Sequence, residues 1–396
     1  MSTVSAAAPP SPAGIDLDPL LQMLGFGAAL ALLALGWLLW RHRGAGTPQR
    51  LRALTLLTLV LTFDLVLFGA FTRLSDSGLG CPDWPGCYGS ASPLGAHAEI
   101  TEAQTAMPTG PVTHRKAWIE MIHRYLATGV GALMTVLMIW SALAVRRLRR
   151  SDPAAAARIA PGWAALGFVW VCLQGAFGAL TVTMKLYPAI VTVHLLGGIG
   201  LLVLLAVQMQ RHDPQPLQLP AALRHAAWGV LALLVLQVAL GGWVSTNYAV
   251  LACQDIPTCQ GRWWPPMDFE SGFTLRRPLG HLPDGSVLPF EALTAIHMAH
   301  RLGAVVVLSA LLAFGLALRR QPGAAGPARA LLGLAALQLL TGLSNVVLDW
   351  PLLAALLHTG GAALLTTLMA ALVARSHARQ HRSAPRAVLD PQLIRT

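Results

Sequence analysis

Two short runs hold the side chains most able to do chemistry. Ile119–Gly131 reads IEMIHRYLATGVG and Thr294–Gly303 reads TAIHMAHRLG, each at the start of a long apolar stretch. Each carries a His-Arg pair, His123–Arg124 and His300–Arg301. Glu120 stands three residues before His123 and His297 three before His300, a spacing that puts both partners on one helix face. Titratable groups inside a hydrophobic span are costly and by default mark function. The plainer reading leaves His123 bonded to a neighbouring carbonyl and Glu120 at the wet interface.

His194 and His358 lie in two later apolar runs. If the runs are helices, all four histidines fall roughly two turns from the same membrane face, at about 1.5 Å rise per residue. Two imidazoles at one level on facing helices of a four-helix bundle suit axial ligation of a haem plane between them. Glycines follow each one, Gly129, Gly197, Gly198, Gly303, Gly360 and Gly361, and a flat macrocycle or a close helix needs such missing side chains. A carboxylate beside such a plane supplies a proton donor or acceptor. Zinc is the weaker metal reading, because it favours clusters of ligands close in sequence and these histidines are spread over four helices.

The elements that position them follow from composition. The chain of 396 residues is 55% hydrophobic and only 11% charged, against about 25% charged in soluble domains, so it reads as an all-α polytopic membrane protein. A span needs about 20 apolar residues, and nine stretches qualify, roughly 19–40, 53–74, 117–145, 162–184, 187–210, 222–246, 291–318, 328–349 and 351–374. The net charge of +11 comes mostly from arginines clustered in short loops, which fits membrane topology rather than nucleic-acid binding. Arginine-rich segments after the first, third, fifth, seventh and ninth spans all fall on one side, so the reading is N-terminus outside and C-terminus cytoplasmic. The first 18 residues lack Lys and Arg, which is unlike the basic n-region of a secretory signal.

The chain also repeats itself. Cys81-Pro-Asp-Trp-Pro-Gly-Cys87 matches Cys253-Gln-Asp-Ile-Pro-Thr-Cys259 at an offset of 172 (253 − 81), and Gly69 meets Gly241 at the same offset. Gln174 meets Gln338, Gly178 meets Gly342 and His194 meets His358 at 164 (358 − 194). His123 meets His300 at 177 (300 − 123). Residues 53–210 and 222–374 therefore read as two pseudo-twofold-related four-helix bundles. Residues 1–52 form an N-terminal tail and one extra transmembrane helix, and residues 375–396 a basic cytoplasmic tail. Cys81, Cys87, Cys253 and Cys259 lie in two long loops on the outer side, where disulfides persist, and each pair can close a small ring. A structural staple is the reading for Cys253–Cys259. For Cys81–Cys87 a staple and a redox-active pair both stand.

Together, the run from Thr72 through Cys81 to Cys87, the Glu120-x-x-His123-Arg124 element and the duplicated histidines resemble the haem A synthase family, over about residues 53–374. The resemblance implies an oxidoreductase that turns a porphyrin methyl group of haem O into the formyl group of haem A by successive hydroxylation, for terminal oxidase biogenesis. It implies haem b on His300 and His358 in the C-terminal half. It also implies haem O, and then haem A, between His123 and His194, with Glu120 as the catalytic carboxylate. Implied partners are a haem O synthase that delivers the substrate and an electron acceptor. A thiol-disulfide partner and a homo-oligomer are compatible with the sequence, nucleic acid is not expected, and the location is a bacterial-type inner membrane. Arg73, Arg124 and Arg301 are positioned to bind haem propionates or to anchor the interface. The competing readings are a bis-histidine cytochrome, a haem carrier or assembly factor without catalysis, and a solute transporter.

Overall fold

The computed structural model describes residues 18–377. Residues 1–17, and the part of the basic tail with His381, Arg379, Arg382 and Arg386, lie outside the described residues. Among the described residues nine helices are long and apolar enough to cross a membrane, so the chain is a multi-pass membrane protein. They are α1 (Asp18–Arg41), α2 (Thr47–Leu74), α3 (His114–Ser151), α4 (Pro161–Thr183), α5 (Pro188–His212), α6 (Ala221–Thr246), α7 (Phe290–Arg319), α8 (Ala325–Val347) and α9 (Leu352–His377). No strand forms among them; the long loops add isolated bridges, the short helices His97–Ala106 and Phe269–Gly272 and the 3-10 helix Ala249–Ala252.

In lipid every backbone polar group must be satisfied within its own segment, which is why apolar runs of this length become helices. Small and hydroxyl residues then let them approach. In α2 the buried Thr55, Thr58 and Thr62 donate back to the carbonyls of Leu51, Leu54 and Thr58 at 2.7–2.9 Å, leaving no unpaired hydroxyl at the interface. Trp170 of α4 donates its indole N–H to Gly197 O of α5 at 2.8 Å.

Helices α2, α3, α4 and α5 pack in a closed ring, α2 on α3, α3 on α4, α4 on α5 and α5 on α2. Helices α6, α7, α8 and α9 close in the same order. Each ring leaves the two histidine-bearing helices diagonal to one another, α3 to α5 and α7 to α9. The rings meet through α5 on α6 and α9, and α2 on α9. At one end of this seam, positions equivalent by the 172 offset touch each other. Arg73 Nη2 donates to Ser245 O at 2.5 Å, and Tyr248 Oη donates to Asp76 at 3.0 Å. Residues meet their own counterparts only near an axis that relates the copies.

Uncommon backbone conformations repeat too. Positive φ occurs at Asp76 and Tyr248, Tyr88 and Gln260, and Gly89 and Gly261, all 172 apart, and at Leu186 and Trp350, 164 apart. The X-Pro bonds Trp84–Pro85 and Ile256–Pro257 are both cis. Cys81–Cys87 and Cys253–Cys259 are both disulfides, with Cα–Cα separations of 4.9 and 4.7 Å. Cys172, the fifth cysteine, is free and exposed on α4.

The extra helix α1 lies along α3. A Cβ at Gly27 would stand 2.5 Å from Thr128 Oγ1, and Phe26 packs against Tyr125 with ring centroids 5.3 Å apart. Replacing Gly27 by Val should therefore loosen this seam by about 1–3 kcal/mol. The check is thermal unfolding together with disulfide cross-linking between engineered cysteines in α1 and α3: both should fall, and an unchanged cross-linking yield would contradict the packing.

Candidate functional site

Each of the four histidines backs onto a glycine of the preceding helix in its ring. An added Cβ at Gly69 of α2 would lie 2.9 Å from His123 Nε2, and one at Gly178 of α4 would lie 3.5 Å from His194 Cε1. At Gly241 of α6 and Gly342 of α8 the distances to Cε1 of His300 and His358 are 3.0 and 3.2 Å. A side chain at any of these positions would push the imidazole toward the diagonal helix. The glycines on the histidine helices themselves make room for close neighbouring helices, the second of the two uses expected of them. Gly197, Gly303 and Gly361 receive the side-chain amides of Gln174, Gln237 and Gln338, and Gly129 receives Leu30 of α1.

The rings of His300 and His358 stand 6.4 Å apart, centroid to centroid, at 83°. Two metal–imidazole bonds of about 2 Å each would put ring centroids about 6 Å apart, so the spacing of this pair is compatible with two imidazoles that would hold one haem iron. His358 Nδ1 lies 3.0 Å from Thr341 Oγ1. That hydroxyl donates to Leu337 O at 2.8 Å, so it can accept the Nδ1 proton and leave Nε2 free to ligate. The Gln237 amide donates to His300 O at 2.9 Å and lies 3.0 Å from His300 Nδ1. In the other half the His123 ring stacks on Phe68, with centroids 6.4 Å apart. His194 Nδ1 is buried with no hydrogen-bond partner among the described residues. A free imidazole nitrogen inside the ring of helices is what a ligand site presents. No three His, Cys, Asp or Glu side chains converge among the described residues, whereas a protein zinc site needs at least three.

Glu120 is buried at the junction of α3 and the first cysteine loop. Its Oε1 accepts from Arg124 Nη2, and its Oε2 accepts the Cys81 N–H at 2.8 Å. Arg124 Nη1 reaches the carbonyls of Asp83, Pro85 and Gly86. Arg301 repeats this: Nη1 donates to the carbonyls of Asp255 and Thr258, Nη2 to that of Cys253, all at 2.9 Å, and Nε faces His297 Nε2 at 3.3 Å. So Arg124 and Arg301, read from the sequence as propionate ligands or interface anchors, hold the disulfide loops instead. Arg73 is likewise turned to protein, with its guanidinium 3.9 Å above the Tyr248 ring. The pairing of Glu120 with Arg124 is the structural role weighed for that acid, and it is present. Its counterpart His297 is also buried.

Sequence reasoning missed the glycines behind the imidazoles as part of the site, together with Gln237 and Thr341. Gly69, Gly178, Gly241 and Gly342 were visible as repeats; only the helix pairing shows that they face the rings. Gln237 and Thr341 break the repeat, since Leu65 and Phe177 stand at the equivalent positions, and that break was the available signal.

The second loop carries a pH-dependent element. Asp255 accepts from Thr258 Oγ1 and from the N–H groups of Gln260 and Gly261 at 2.7 and 3.0 Å. The Thr258 hydroxyl first, then the Gly261 and Gln260 amides, hold its carboxyl below the usual aspartate range. A depressed folded-state pKa stabilises the loop above the unfolded value and loses that contribution as pH falls through the folded one. Amide exchange at Gln260 and Gly261 should therefore stay slow into mildly acidic solution and quicken only below the ordinary aspartate range. Arg301→Leu should quicken it at every pH, and unchanged exchange in that variant would contradict the clamp.

The cytochrome oxidase assembly protein family (COX15-CtaA) matches residues 52–370. Among curated relatives, Heme A synthase of Shewanella oneidensis is 41% identical over 314 residues, covering 78% of this chain and 91% of that protein. Heme A synthase of Methylobacterium nodulans is 31% identical, over 81% of this chain and 88% of that protein. Heme A synthase of Rhizorhabdus wittichii is 26% identical, over 83% and 94% respectively. With a model matched across most of its length, and a relative this similar, the chain belongs to the cytochrome oxidase assembly protein family.

Proposed function

We propose that the chain is a haem A synthase, an oxidoreductase that oxidises a methyl group on the porphyrin edge of haem O to the formyl group of haem A. Residues 53–210 form the substrate half, with haem O held by His123 and His194. Residues 222–374 form the electron-holding half, with haem b on His300 and His358. When bound, the haem b supplies a one-electron redox centre. The observation that carries the reading is the asymmetry of a duplicated site. Four histidines recur in register, yet the position that is Glu120 in one half is His297 in the other, as expected of one reactive and one non-reactive half. The identity to Heme A synthases over most of the chain supports the same reading.

One methyl group and one water become the formyl group, which keeps the water oxygen and one methyl hydrogen; four protons leave, and four electrons pass to an electron acceptor outside the chain. Glu120 is the proton acceptor for that water. Arg124 and the Cys81 amide fix its carboxylate, so its position depends on the closed Cys81–Cys87 ring. The loops face the oxidising side of a bacterial-type inner membrane, with the N-terminus outside and the arginine-rich connections in the cytoplasm. A haem O synthase delivers the substrate. A second reading, a bis-histidine cytochrome in which Glu120 only anchors the loop, is favoured by its pairing with Arg124.

Glu120→Gln keeps an acceptor for the Cys81 amide and removes the base. Expressed with a haem O supply, this variant should still load haem while its haem A output, read by pigment extraction, falls at least about 100-fold. Normal loading with unchanged haem A output would end the catalytic role of Glu120. Bound haem b without any haem A, from the unaltered chain, would favour the cytochrome.

A further inference from the structure

Beside the His194 slot the membrane-facing surface carries an apolar cavity of about 380 Å³. Trp170 and Phe177 of α4, Gly197 and Gly200 of α5, and Val235 and Val238 of α6 line it. It begins at Val193, next to His194, and runs to Val203 along α5, about 15 Å at 1.5 Å per residue. The lining residues Leu173, Val193 and Val235 remain about half exposed, so the cavity is a groove open toward lipid. At its histidine end the Gln174 amide packs on Gly197, and Gln174 Oε1 is buried without a hydrogen-bond partner among the described residues.

The other half lines the equivalent space with different residues. At the 164 offset Gly200 becomes Leu364 and Phe177 becomes Thr341; at the 172 offset Val235 becomes Phe63. Phe63 and its neighbour Leu67 reach across to α9, where a Cβ on Gly360 would meet Leu67 Cδ2 at 2.8 Å and Phe63 Cζ at 3.7 Å. Leu364 and Phe63 are bulkier than Gly200 and Val235, while Thr341 and Gly360 are smaller than Phe177 and Leu196.

We propose that this groove takes the farnesyl chain of haem O, with Gln174 Oε1 accepting the hydroxyl at the base of that arm. The inference rests on the reading of His123 and His194 as the substrate site. Haem O differs from protohaem by its single hydroxyethylfarnesyl arm, so a site that selects it needs a long apolar channel leaving the porphyrin edge. An opening toward lipid lets such a chain enter sideways from the bilayer. A half that keeps its haem b has no use for such a channel, and there Leu364 and Phe63 stand where Gly200 and Val235 line it.

The test is a titration of the purified protein, its C-terminal half already loaded, with haem O and with protohaem, followed by optical difference spectra. The unaltered chain should bind haem O at least about ten-fold tighter than protohaem. Val235→Phe, which installs the residue of the other half, should remove most of that preference while protohaem binding holds. Gly200→Leu repeats the test from α5; because a Cβ there meets Trp170 Cζ2 at 2.8 Å, Val235→Phe decides if this variant fails to fold. Equal affinities in the unaltered chain, the result if bilayer acyl chains are the only occupants, would overturn the proposal, as would a preference unchanged in Val235→Phe. Binding of neither porphyrin would overturn the substrate-site reading itself, and the groove with it.

Discussion

A histidine ring can stand inside a membrane bundle only where a neighbouring helix gives up its side chain, and the rest of this molecule is arranged around four such places. Gly69, Gly178, Gly241 and Gly342 each make room for one imidazole. The closed ring of four helices then leaves the two imidazole-bearing helices diagonal, so their rings point into a shared space instead of a helix contact. Polar nitrogen in that space is expensive unless something uses it. In the second half Thr341 and Gln237 hold one side of each ring. In the first half, His194 Nδ1 is left without a protein partner among the described residues. The halves share a frame and differ in how the imidazoles are held, the difference that the proposed reading assigns to a resident group and an exchanged one.

The arginines next to two of these histidines tie the site to the loops. Arg124 and Arg301 each gather three backbone carbonyls of a seven-residue disulfide ring. A guanidinium offers five N–H donors in a fixed fork, so one side chain can satisfy several carbonyls that a tight turn leaves unpaired. The arginine is one residue from its histidine in sequence, so loop and imidazole move as one body. Glu120 sits in the same network, and this is why its chemistry and its packing are difficult to separate by deletion alone.

Much of this was legible in the sequence because the signals were costs. Nine apolar runs, arginine clusters and titratable residues in spans each violate a default unless a membrane or a ligand explains them. The repeat made the histidines readable as pairs. What stayed hidden was lateral. Gly69 stands behind His123 only because α2 packs on α3, and no local pattern encodes that pairing. Arg124 and Arg301 could have faced a propionate or the loop; the course of the backbone from Cys81 to Cys87 decides, and the sequence does not carry it. Helix α1 lies outside the repeat, so only the fit of Gly27 against Thr128 reveals where it packs.

The central claim is that each half closes two imidazoles on one porphyrin. Low-temperature electron paramagnetic resonance of the oxidised, haem-loaded protein tests it most directly, comparing the unaltered chain with His300→Ala, His358→Ala, His123→Ala and His194→Ala. The account predicts a low-spin, two-imidazole signal that disappears in His300→Ala and His358→Ala. That signal should survive in His123→Ala and His194→Ala, while a second low-spin signal, seen only after haem O is added, is lost. A resident signal unchanged in His300→Ala and His358→Ala, or a haem O signal indifferent to His123 and His194, would contradict it.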